Sequence, residues 1–345
     1  VISRLKMIKI LGLGPALRAN RLRRFSQDLL PGFYTTRAVI ALFNVGLIDE
    51  LTQKGPVDLD SFAARNNLDL HVLRSLCDYL CSVCVMKRTG TAYALDQRYR
   101  PVIDTVTGPF YSVYAYQDIF RNLEALLKKE KTYGAEVTRE PEFVARGSGA
   151  VGQYLAFPLM AHVLRRNGFK RVLDLCCGDA TFLIDLCRRD HDVKGYGVDI
   201  APEAIAFAQK RVEKRGLQDR ISLVAGDVFH LDAVTGHVKD IEATTCVYAL
   251  HEFLTDSQDR ILDLLQRYRA TFPGVPLVVC EVIHHTPEEL RDKPGGVAEI
   301  QLWHDLSNQR LMSREEWRAL FSRAGFATVH EDYAAVARTA IFTVS

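Results

Sequence analysis

Residues 172–182 read VLDLCCGDATF. Val172–Leu175 is an apolar run broken by one acid, Asp174. A turn follows, and Asp179 onward continues as DATFLIDLCRR, with apolar residues at helical spacing. The stretch predicts a strand, a turn and a helix start. A turn that cradles a nucleotide against the first amides of a helix is usually rich in glycine, because the ligand must approach the backbone closely. This turn holds one glycine, Gly178.

Working outward from the turn, apolar runs alternate with amphipathic stretches. RVLDLC, VKGYGVDI, ISLVAGDV, IEATTCVYAL, PLVVCEVI, FATVHEDY and TAIFTVS are separated by segments such as APEAIAFAQKRVEKRG and SREEWRALFSRAG. The pattern predicts an α/β fold with a Rossmann-like, mostly parallel sheet of seven strands. No helix separates the last two strands, so the last one is expected to be antiparallel. Ligands in such a sheet bind at the carboxyl ends of the strands. The first strand ends at Asp174. The second ends in GVDI, with Asp199 twenty-five residues on and placed to accept from ribose hydroxyls. The third ends in AGDV, with Asp227 placed for an adenine amino group. Cys176, Gly178, Ile200 and Val228 complete the expected cofactor set. The spacing Gly-x-Gly-x-x-Gly that admits a dinucleotide pyrophosphate is absent. Asp174 would repel a pyrophosphate, whereas it suits a cationic ligand.

These three acid-ended strands resemble the class I S-adenosylmethionine-dependent methyltransferases. Their usual loop is acid-x-Gly-x-Gly-x-Gly; here Asp174 is the acid, and Cys176 and Ala180 replace the outer glycines. The resemblance implies S-adenosylmethionine as methyl donor.

Upstream, residues 34–86 read as helical throughout, with a break at Asn66-Asn67 and a second start near Asp69 or Leu70. TGTAYALDQRYR then reads as a short strand pair. Helix, turn, helix and wing suggest DNA binding, but Leu73, Leu76, Cys77, Leu80, Cys81 and Val83 make the second helix apolar. Packing or dimerisation suits it better. Cys77, Cys81 and Cys84, at i, i+4 and i+7, read as small core residues on one helix face rather than a metal knuckle. The aromatic run FYSVYAYQDIF (110–120) reads equally as part of a substrate lid or as packing between domains. An all-helical winged-helix domain before the sheet resembles the small-molecule O-methyltransferases of plants and of bacterial specialised metabolism, over about residues 35–345. The implied division is a basic arm and dimerisation domain over 1–105, a helical linker or lid over 106–165, and a catalytic domain over 166–345.

The resemblance also addresses the acceptor. After the fourth strand, YALHEFLTDSQDRIL occupies the place of the family's His-Asp-Trp-x-Asp. His251 matches the general base that deprotonates a phenol. Glu252 stands for the Asp, Phe253 for the Trp and Asp256 for the later acid, and Glu281 matches a Glu that buttresses the base. EIQLWHDLSNQRLMSREEW, with LHEF, is also similar to the α-keto acid C-methyltransferases. That likeness implies a metal, iron or zinc, held by His251 and His304, with Glu252 or Asp305 as a further ligand or supporting partner. His284 and His285 read as surface or pocket-rim residues. A non-catalytic S-adenosylmethionine-binding regulator is a third reading, supported only by the degenerate loop.

Composition sets the outer bounds. The chain of 345 residues is 48% hydrophobic and 25% charged with a net charge of +2, which gives no global case for nucleic acid or membrane. Eight scattered cysteines suit a reduced, cytoplasmic protein better than a disulfide scaffold. The first 25 residues carry seven Lys/Arg and no acid, a basic arm suited to a partner subunit. The expected partners are therefore a small-molecule acceptor and a second copy of the chain.

Overall fold

The computed structural model describes residues 4–100, 103–254, 257–291 and 296–345, and it divides into two units, Val1–Val106 and Thr107–Ser345.

The first unit is mainly helical. Helices span Arg4–Leu11, Leu13–Asn44, Leu47–Lys54, Leu59–Asn66 and Leu70–Ser82. The break near residue 67 has a local cause: Asn67 adopts left-handed backbone (φ 52°), and the Asp69 carboxylate accepts the Val72 amide at 2.9 Å to cap the next helix. Phe62, Leu73, Cys77 and Leu80 face the core. Cys84 does not join them. The helix ends at Ser82, and Cys84 is exposed with φ 62°, which corrects the expectation of three cysteines on one helix face. Strands β2 (Met86–Thr89) and β3 (Ala92–Leu95) form the expected pair. The short β1 (Val57–Asp58) adds an antiparallel third strand, in the order β1-β3-β2, that apolar periodicity does not announce.

The second unit is built on seven strands: β4 (Arg171–Leu175), β5 (Lys194–Asp199), β6 (Ile221–Ala225), β7 (Ala243–Val247), β8 (Leu277–Val282), β9 (Thr328–Ala334) and β10 (Thr339–Val344). Their order is β6-β5-β4-β7-β8-β10-β9. β10 runs antiparallel to both β8 and β9; the ladders from β6 to β8 are parallel. The last strand is thus the antiparallel one, as the sequence predicts. Leu173, Leu175 and Val279 pack on one face of the sheet, and Val172, Val278 and Cys280 on the other. Burial on both faces explains why these strands read as continuous apolar runs. Strand order reverses between β4 and β7, and there the carboxyl ends open a crevice.

Helices Ile103–Ala115 and Pro141–Tyr154 cross at backbone contact. A Cβ on Gly147 would lie 2.6 Å from Ser112 Oγ, and one on Gly108 would lie 2.9 Å from the Val151 amide nitrogen. Only glycine permits that approach, and both helices supply walls to the site described next.

Candidate active site

The side expected to take the donor begins at the turn after β4. Cys176, Gly178 and Ala180 have φ of 56°, 53° and 58°. The backbone therefore holds left-handed geometry at every position where glycine is expected, at a cost of about 1 kcal/mol for each non-glycine. The turn lines a cavity of about 310 Å³ together with Asp174, Tyr248 and Glu252. Asp174 is 3% exposed and accepts a hydrogen bond from Thr245 Oγ1 at 2.7 Å. Burial pushes its carboxyl up to about 7, against the Thr245 bond that favours the anion. Asp199 accepts the Gly178 amide at 2.9 Å and the Ala201 amide at 3.0 Å, so it fastens the turn to the end of β5.

The remaining expected donor residues lie outside that cavity lining. Asp227 accepts the Phe229 amide at 2.9 Å and faces His230 Nδ1 at 3.1 Å; the amide bond holds its carboxyl below the usual range. Ile200 is 70% exposed. Val228 departs from its expected place, because its side chain packs into the core beside Leu231 and Val234.

The acceptor side begins after β7. Tyr248 takes left-handed backbone (φ 52°) and a short helical turn, Leu250–Phe253, follows. Glu281 on β8 is fully buried beneath that turn. Its Oε1 accepts the amides of Leu250 (2.9 Å) and His251 (3.3 Å), and its Oε2 lies 2.6 Å from His251 Nδ1. A carboxylate only accepts, so His251 donates from Nδ1 and turns Nε2 outward. Burial alone would lower the His251 pKa; the charge and hydrogen bond of Glu281 outweigh it, and the net shift is upward.

His304, on helix Val297–Leu306, is the counterpart. Its Nδ1 lies 2.6 Å from the Ile300 carbonyl oxygen, which also leaves Nε2 free. Burial and the neighbouring His251 push the His304 pKa down to about 4, so this ring is neutral. The two imidazole centroids are 4.9 Å apart. Glu252 faces both, and one ligand atom from each of His251, Glu252 and His304 lies within 4.8 Å of the others. Burial would raise the Glu252 pKa, but the ion pair with Arg139 (2.5 Å) prevails and keeps the carboxylate charged. Gln309 donates to the same oxygen of Glu252 and accepts from Arg139 at 2.9 Å. A second cavity, about 240 Å³, is lined by His251, Glu252 and His304 together with Tyr116 and Trp303; Glu252 and Tyr248 line both cavities.

Comparison with known proteins places the chain among methyltransferases. Residues 172–271 match the family model described as "Methyltransferase domain". The chain is 22% identical to "Methyltransferase ungE'" of Aspergillus campestris over 85% of this chain and 88% of that protein. It is 27% identical to the 2-ketoarginine methyltransferase of Streptomyces arginensis over 86% of this chain and 87% of that one. Among solved structures, the mitomycin 7-O-methyltransferase MmcR superposes with a TM-score of 0.70 at 17% identity, covering 95% of this chain and 98% of that one. The chain is a class I S-adenosylmethionine-dependent methyltransferase.

Within this methyltransferase, the structure separates residues that sequence reading left together. Of the two candidates for a third partner to the histidines, Glu252 joins them, whereas Asp305 is exposed on the helix after His304. Asp256 lies outside the described residues. Phe253 stacks edge-on against Phe229 (5.3 Å), under the Arg260 guanidinium. His285 is buried rather than at the surface: it lies 3.2 Å from Tyr333 Oη, and with His284 it lines a separate cavity. Arg139, Gln309 and Tyr116 were missed. Arg139 sits in none of the quoted stretches, and only its convergence in space marks it; Tyr116 and Gln309 lie within FYSVYAYQDIF and EIQLWHDLSNQRLMSREEW, where neither was given a role. No helix among the described residues is long and apolar enough to cross a membrane.

Proposed function

We propose that this methyltransferase transfers a methyl group to the β-carbon of a small α-keto acid, with help from a divalent metal. The observation that carries the reading is that His251, Glu252 and His304 each offer a ligand atom within 4.8 Å of the others. Each imidazole is fixed through its other nitrogen, one by a carboxylate and one by a backbone carbonyl. That is how ligating histidines are ordinarily oriented. Two imidazoles and a carboxylate suit iron or zinc, and these three residues would hold the ion. Such an ion would supply Lewis-acid polarisation of a keto oxygen, which eases loss of a proton from the adjacent carbon.

The chain's own residues do the rest. Glu281 and the Ile300 carbonyl fix the imidazoles. Arg139 and Gln309 fix Glu252 and balance its charge. The donor turn presents the sulfonium from the adjoining cavity, and Asp174, Asp199 and Asp227 serve as donor-binding acids. In the overall reaction a C–H bond at the β-carbon is replaced by C–CH3, the sulfonium becomes a thioether and one proton is released. The name of the 2-ketoarginine relative supports a keto-acid acceptor.

A second reading rests on the buried His251–Glu281 pair, which is also the arrangement of a general base for a phenol. It gives His304 no part. The two readings separate on paired variants. On the keto-acid reading His251→Ala and His304→Ala each abolish turnover and each lower bound metal, while donor affinity stays unchanged. Metal binding retained in His304→Ala, with near-normal turnover, would refute it.

We also read the first unit as a winged-helix dimerisation domain, with its exposed apolar residues covered by a second copy. The divisions 1–105, 106–165 and 166–345 and a cytoplasmic location belong to the same reading.

A further inference from the structure

We infer that the acceptor is a 2-keto acid with an uncharged side chain, aromatic or branched aliphatic. This rests on the keto-acid reading above and narrows it, because the wall of the second cavity departs from what a charged side chain requires. Among the described residues, Glu252 is the one carboxylate that lines it, and no lysine or arginine does. Glu252 is already engaged by Arg139 through both oxygens, at 3.2 and 2.5 Å, and by Gln309. Among the described residues, a guanidinium entering here would meet no free carboxylate, and a second carboxylate would meet no cation. Burying either without a partner costs several kcal/mol.

Most of the rest of the wall is apolar, and Ser112, Ser148, Tyr248 and Thr339 are its uncharged polar members. Val151, Leu155, Val297 and Ile300 face the cavity, and the rings of Tyr116 and Trp303, stacked at 5.4 Å and 18°, form one side of it. Val336, in the turn between β9 and β10, is 99% exposed yet also lines this cavity. An apolar side chain in the acceptor would cover the part of Val336 that faces inward. The helix crossing at Gly108 and Gly147 brings the Ser112 and Val151 side chains inward, which limits the width of the space. These features select a flat ring or a compact branched chain, and they set this enzyme apart from a relative named for 2-ketoarginine.

The test is a panel of four acids: phenylpyruvate, 4-methyl-2-oxopentanoate, 2-ketoarginine and 2-oxoglutarate. Binding to the S-adenosylhomocysteine complex is followed by calorimetry, and turnover by release of S-adenosylhomocysteine. The two uncharged acids are expected to exceed the two charged ones by about 10²-fold or more in kcat/KM, with the same order in binding. Val297→Asp adds a carboxylate to the wall, in a helix first turn that tolerates acids. It should shift the ratio of 2-ketoarginine to phenylpyruvate upward by at least about tenfold. Equal or better use of 2-ketoarginine or 2-oxoglutarate by the unaltered enzyme would overturn the inference and leave keto-acid methylation standing. A ratio unmoved in a Val297→Asp variant that still methylates phenylpyruvate would also overturn it. Turnover of a phenol with none of the four acids would instead bring down the keto-acid reading, and this inference with it.

Discussion

At the scale of single residues, Glu281 decides what His251 can do. It is fully buried and makes three hydrogen bonds, two to backbone amides and one to the imidazole. Glu281→Gln keeps the shape but removes the charge. Its amide can present an NH2 group to Nδ1 and so favour the wrong tautomer. We expect activity to fall by about 10–100-fold with unchanged affinity for S-adenosylmethionine, which steady-state kinetics and calorimetry would check. Asp174 gives a pH prediction. Its carboxyl, pushed up to about 7 by burial, is neutral below that value and charged above it. A cationic donor needs the anion, so donor affinity should rise as pH increases through about 7 and weaken below it. In Asp174→Asn that dependence should disappear and binding should be weak throughout. Calorimetry across this range measures both, and a wild-type profile that strengthens toward acid would contradict the assignment.

At the scale of elements, the strands were legible and parts of the site were not, for separable reasons. β4, β7 and β8 are buried on both faces, so their sequences are apolar without alternation and stand out from the helices between them. The donor turn was harder to read because Cys176 and Ala180 hold conformations that usually announce themselves as glycine. His251 and Glu281 were named from the resemblance to the O-methyltransferases, and the structure places them after β7 and within β8. Arg139 was not, because it lies in the loop before helix Pro141–Tyr154, in a stretch without periodicity, 113 residues from the Glu252 it binds. Asp305 was offered beside His304, but adjacent helix positions point in different directions, and only His304 turns inward. The glycine crossing was also invisible, since nothing in the sequence says that Gly108 and Gly147 meet. Gly147→Ala would place a Cβ 2.6 Å from Ser112 Oγ and 3.1 Å from the Ser112 nitrogen. The side chain can turn away but the backbone cannot, so a loss of about 1–3 kcal/mol is expected in denaturant unfolding, with a narrower acceptor cavity.

At the scale of the whole molecule, the first unit carries large apolar side chains in the open. Ile10, Leu13, Leu17, Leu22, Leu30, Phe33 and Tyr34 are each more than half exposed along the two N-terminal helices. Arg18 and Arg21 are exposed on the same long helix. Such a surface is unusual on a protein that works alone. We expect a homodimer through this unit by light scattering at micromolar concentration. Leu17→Asp combined with Phe33→Asp should shift it toward monomer, while donor binding by the second unit is retained. A monomer in the unaltered chain would contradict this assignment.

The central claim is that carbon is methylated with the help of a metal held by His251, Glu252 and His304. It is tested most directly by supplying S-adenosylmethionine with a ¹³C-labelled methyl group and phenylpyruvate, then locating the label by NMR with and without a strong chelator. The account predicts a methyl group on the β-carbon, its loss after chelation, and its return when iron or zinc is restored. Undiminished label on carbon in the chelated enzyme, or label found only on the enol oxygen of phenylpyruvate, would contradict it.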